Sequence, residues 1–157
     1  MTLKLPLAST LLVLFSTAVL AQEFACDKLA ASPYDAEKVT AGVLYKNIDS
    51  KMAINACKDA IEKNKRNGRL WFQYGRALEK GNKIADAIIA YQEAIEFNHA
   101  AAYNNMGELY RDGKGFERNP VKAEEFFAKA AQYGSTEGVA NLNGNKSKNS
   151  LPAIKVN

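Results

Sequence analysis

Residues Gly107–Gly134, GELYRDGKGFERNPVKAEEFFAKAAQYG, hold two glycines around a lysine, then a proline, then alanines and aromatics at regular intervals. A phosphate-cradling loop would need a preceding strand and a fuller glycine spacing, and neither is present. Sliding the chain along itself gives the other reading. Arg66–Gly81, RNGRLWFQYGRALEKG, superposes on Asn98–Gly113, NHAAAYNNMGELYRDG, at an offset of 32, pairing Gly75 with Gly107. The downstream halves superpose at an offset of 36, pairing Ala87 with Ala123, Tyr91 with Phe127, Ala94 with Ala130 and Asn98 with Gly134. Four extra residues therefore fall in one loop near Gly115–Arg118. AINACKDAIEKN (53–64) adds a half repeat before these units, and EGVANLNG (137–144) a degraded half after them.

The apolar spacing within each half is that of an amphipathic helix. Leu70, Trp71, Tyr74 and Leu78 share a side in the first unit, as do Tyr103, Met106, Leu109 and Tyr110 in the second. Ile84, Ile88, Tyr91 and Ile95, then Phe126, Phe127, Ala130 and Ala131, mark the partner helices. Gly81 and Gly113 fit the position just past a helix end, and Asn119–Pro120 fits an N-cap with a first-turn proline. Glycine inside a helix costs about 1 kcal/mol relative to alanine, so Gly75 and Gly107 imply close helix approach, with Ala90, Ala94, Ala128 and Ala131 as small facing surfaces.

The chain has 157 residues and a formal charge of +4, a weak excess. MTLKLPLASTLLVLFSTAVLA (1–21) reads as a signal peptide cleaved before Gln22, leaving one small domain. The densest basic run, KNKRNGR (63–69), falls in a helix-to-helix connection and reads as a solvated loop, which argues against nucleic acid. Cys26 and Cys57, an even count in an exported chain, imply one disulfide. No metal or cofactor is expected.

NNMGELYRDGKGFERNPVKAEEFFAKAAQYG (104–134) resembles the Sel-one-like repeat, a relative of the tetratricopeptide repeat. Gly107, Tyr110, Gly113, Gly115, Lys122, Ala123, Phe127, Lys129, Ala130, Ala131 and Gly134 fall on its pattern, with Phe116 in place of valine and Asn119 in place of aspartate. The unit Gln73–Asn98 lacks the long loop and is closer to an ordinary tetratricopeptide unit. CDKLAASPYDAEKV (26–39) is similar to the opening of exported bacterial members. The resemblance implies an all-α, short right-handed α-solenoid over residues 50–142, preceded by a cap segment (22–49), while residues 143–157 show no periodicity and read as a disordered tail. It also implies a periplasmic or secreted location in a bacterium.

Enzyme signatures are absent: there is no G-x-S-x-G, H-E-x-x-H, S-x-x-K, S-D-N or K-T-G. The expected function is non-catalytic binding of a protein or peptide. The alternative, a penicillin-binding or β-lactamase-type enzyme, is one that a chromogenic β-lactam would expose. The resemblance implies that the first helix of each unit lines a concave groove. Arg69, Phe72, Arg76, Asn104, Glu108 and Arg111 are the expected contact residues, with Phe72 either a binding anchor or tucked beneath the preceding half repeat. Gln73, Asn105 and Asn141 recur at one repeat position and suit internal hydrogen bonds. His99, at a helix mouth, suits a surface or capping role.

Overall fold

The computed structural model describes residues 24–149, so the expected signal peptide and residues 150–157 lie outside the described residues. A helix over 24–30 (α1) leads into an irregular segment carrying a single 3₁₀ turn at Tyr45–Asn47. Then follow α2 (Ser50–Lys63), α3 (Gly68–Lys80), α4 (Ile84–Glu96), α5 (Ala100–Asp112), α6 (Pro120–Gln132) and α7 (Thr136–Asn149). The described residues contain no strand. Each helix from α2 onward packs against the next, and α5 also reaches α7. The starts of α3 and α5 differ by 32 residues and those of α4 and α6 by 36, the two offsets of the sequence repeat. The α5–α6 loop, 113–119, has seven residues against three in 81–83, which is the four-residue insertion.

The helix ends follow from local chemistry. Asp49, Asn67 and Asn119 accept side-chain hydrogen bonds from the amides of Met52, Leu70 and Lys122 respectively, with Pro120 in the first turn of α6. Gly113 closes α5 in the left-handed region at φ 69°. Gly81 occupies the matching place after α3 at φ −79°, and Asn82 takes the left-handed conformation instead, as Asn98 does after α4. Asparagine tolerates that region better than other residues with a side chain.

Gly75 and Gly107 are notches for aromatic rings. A Cβ on Gly75 would stand 2.5 Å from the Tyr91 ring, and one on Gly107 2.6 Å from the Phe127 ring. The facing groups are therefore these aromatics rather than the alanines expected from sequence, and Ala128 is exposed. Both rings are fully buried, which stabilises each pair by about 1.5–3 kcal/mol. Gly107→Leu should lower stability by about 1–3 kcal/mol through overpacking, as read by a thermal melt. Gly144→Ala, with nothing within 4 Å, should be neutral or stabilising. Equal midpoints for Gly107→Leu and wild type would contradict the notch.

Gly115 has φ +74°, and a Cβ there would meet Ile88 Cδ1 at 2.7 Å. Gly115→Ala is harmless only if the loop needs no positive backbone angle; it does need one, so the substitution is strained. The insertion brings Phe116 onto Tyr110, ring centroids 4.1 Å apart, with Phe126 on the same ring at 5.4 Å. Helix α7 runs to Asn149, past the expected start of the disordered tail at 143. Residues 143–149 show no apolar period; they prolong a helix already nucleated by the packed turns before them, and propagation needs no amphipathic pattern of its own.

Candidate functional site

The Cys26–Cys57 disulfide ties α1 to α2, with the two Cα atoms 4.6 Å apart. From it the N-terminal segment, 31–49, runs across the face of α3 that carries Arg76 and Lys80. Asp27, almost fully buried, accepts from Arg69 and from Gln73 Nε2 at 2.7 Å. Arg76 donates to the carbonyl oxygens of Ala30 at 2.5 Å and Val43 at 3.0 Å. Lys80 Nζ donates to Lys46 O at 3.1 Å. Arg69, Gln73, Arg76 and Lys80 thus all bond to this chain's own N-terminal residues.

Phe72 is 1% exposed, so of its two expected readings the anchor is corrected to a buried role, and the ring packs against α4 and α5 rather than beneath the preceding half repeat. Its ring stacks on His99 at 4.7 Å and lies 6.1 Å from Tyr91. His99 is itself buried rather than at the surface, and its Nε2 comes within 3.3 Å of Asp35 Oδ2. That approach falls short of a hydrogen bond. Its angle leaves Asp35 Oδ2 and both imidazole nitrogens without a hydrogen bond among the described residues. Arg69 is likewise corrected from a partner contact to an internal one, the partner of a buried carboxylate. Arg111 pairs with Asp112 at 2.8 Å, donates to Asn141 Oδ1 at 3.1 Å and lies over the Phe127 ring, beside the open cavity rather than in it.

Between the N-terminal segment and α5 lies a polar cavity of about 300 Å³. Ser32, Tyr34 and Tyr45 of the N-terminal segment wall one side; Arg76 and Glu79 of α3, and Asn104, Asn105 and Glu108 of α5, form the others, with Lys114 and Glu137 at the edges. Of the six expected contact residues, the fold brings Arg76, Asn104 and Glu108 together here.

A hydrogen-bond relay leads into the cavity through the Gly75 notch. Asn105 Nδ2 donates to the Tyr91 hydroxyl at 2.9 Å, and that hydroxyl donates to Glu79 Oε2 at 2.9 Å. On the other side Asn141 Nδ2 donates to Asn104 Oδ1 at 2.9 Å and, more distantly, to Glu108 Oε1 at 3.4 Å. Gln73, Asn105 and Asn141, the recurring amides, all make internal hydrogen bonds.

The electrostatics are those of charges held out of water. Burial raises the Glu79 carboxyl above its usual range, while the Tyr91 hydrogen bond and Lys114, 3.9 Å away, pull it down. Burial, then the charge on Glu108, raises Glu137. Burial lowers the Arg76 guanidinium from its ordinary value, against the opposing pull of Tyr91, Glu137, Asp35 and Glu79. Burial and the Glu79 charge push Tyr45 up to about 12.

Sequence reasoning misses Glu79, Glu137 and the walling residues Ser32, Tyr34 and Tyr45. Glu79 carried a weak signal, because it lies on α3 one turn after Arg76, an expected contact residue. The segment 31–49 carried none, because a non-repeating stretch has no register from which to infer a neighbour. No helix among the described residues is long and apolar enough to cross a membrane. No family model matches the chain, and no curated protein matches it.

Proposed function

We propose that this protein is an exported, non-catalytic interaction module, a short right-handed solenoid of Sel-one-like repeats that binds an extended segment of a partner protein in its concave groove. The observation that carries the reading is the cavity floor. Arg76 and Asn104 are 4% and 2% exposed, yet both line open space and keep N–H groups that meet no protein acceptor among the described residues. Those N–H groups open onto the cavity rather than being buried without a partner, so they are placed to meet acceptors brought by a ligand. The disulfide supports export, because such bonds persist in oxidising compartments.

The contact surface narrows from the six residues of the sequence pattern to Arg76, Asn104 and Glu108, with Glu79, Asn105 and Glu137 added. A photo-crosslinking residue at Glu108 should capture a partner in the native host, while the same residue at Glu124 on α6, outside the cavity, should not. Equal capture from both positions would refute a groove-specific site.

A further inference from the structure

The cavity has a charge pattern that selects among ligands. Asn104 and Glu108 stand one turn apart on α5, Glu137 and Asn141 one turn apart on α7, and the Asn141 amide bridges the two α5 side chains. Three carboxylates line the space, Glu79, Glu108 and Glu137, against two cations, Arg76 and Lys114. Those cations are already engaged: Arg76 bonds two backbone carbonyls, and Lys114 lies beside Glu79. Glu137 has no hydrogen bond or ion pair among the described residues, and Glu108 has only the long contact from Asn141. Independently of the carboxylates, the Asn104 side chain, 2% exposed, lines the cavity with an Nδ2 that meets no protein acceptor among the described residues.

We propose that this cavity is a pocket for one basic residue of a bound peptide, its ammonium or guanidinium received by Glu108 and Glu137 and its main-chain carbonyl accepting from Asn104 Nδ2. The proposal rests on the peptide-groove reading and adds to it a chemical class of ligand. An acidic side chain would meet three carboxylates. A free diamine would satisfy the glutamates and leave the Asn104 donor without an acceptor. A cavity of about 300 Å³ lies at the small end of ligand sites, the scale of one side chain with its backbone.

The test is a titration of the mature protein, followed by amide NMR, with four probes: Ac-Ala-Lys-Ala-NH₂, its norleucine and glutamate counterparts, and cadaverine. The lysine peptide should shift the Asn104 side-chain amide and the backbone amides of Glu108 and Glu137. It should bind at least about tenfold tighter than the norleucine peptide, a modest return for a desolvated charge pair. Glu137→Gln should erase that preference. Burial and Glu108 already disfavour the charged form of Glu137, so the variant should fold and melt no lower than wild type.

Equal binding of the lysine and norleucine peptides overturns the basic pocket and leaves the groove intact. Cadaverine binding as tightly as the lysine peptide overturns the main-chain part of the assignment. Absence of shifts with every probe, with capture at Glu108 retained, overturns the inference alone. Peptide shifts confined to residues outside the cavity overturn the inference and the groove reading together.

Discussion

Cys57→Ser should lower the free energy of unfolding by about 2–5 kcal/mol, a large share of what a small domain possesses. The bond closes a loop of sequence separation 31, for which the chain-entropy estimate is about 3–4 kcal/mol. Both cysteines are fully buried in a cluster with Ala53, Ala60, Ile61 and Leu70, so the variant also leaves a hydroxyl and a thiol in an apolar place. The consequence extends beyond stability. Asp27 is the residue after Cys26, and its contacts to Arg69 and Gln73 help hold the N-terminal segment over α3. Losing the disulfide should loosen that segment and the Ser32–Tyr45 wall of the cavity with it. Denaturant unfolding of the protein, with and without reductant, measures the first effect. Coincident curves would mean that the Asp27 and Arg76 contacts hold the segment unaided.

Phe72→Ala should cost about 3–5 kcal/mol, the range for emptying a buried phenylalanine site, and helical content should fall at temperatures where wild type stays folded. The anchor reading of the sequence leads to the opposite expectation, loss of partner binding with the helices undisturbed. The difference comes from where the ring lies. It is packed among Ala101, Ala102, Met106 and Tyr91 and stacked on His99, which in turn faces Asp35 of the N-terminal segment. Truncation therefore opens a cavity between α3 and α5 and frees a buried imidazole. Circular dichroism melts decide the matter, with Phe72→Leu as the milder comparison. An unchanged midpoint for Phe72→Ala would return the residue to the surface.

The helix pairs were legible in the sequence because their causes are local and repeated. The Asn119–Pro120 cap, the helix-ending Gly113 and the notches at Gly75 and Gly107 each leave a mark on a few neighbouring residues, and the notches recur at the repeat offset of 32. The identity of the ring that fills each notch did not follow, since a glycine records only that something approaches closely.

Tertiary structure alone decided which groove residues meet open space. Arg69, Phe72 and Arg76 look alike in the pattern, as large or charged residues on one helical face. Their fates separate because Asp27, Ala30 and Val43 come to the two arginines from a segment without repeat, period or cap motif, whereas Phe72 is covered by Tyr91, His99 and the side chains of α5. The pairing of Glu108 with Glu137 likewise requires α7 to pack back on α5, which no local spacing encodes. Helical period and capping are short-range properties of the chain, readable one turn at a time. Burial of a given side chain depends on distant chain that happens to cover it, and that contact exists only once the fold has formed.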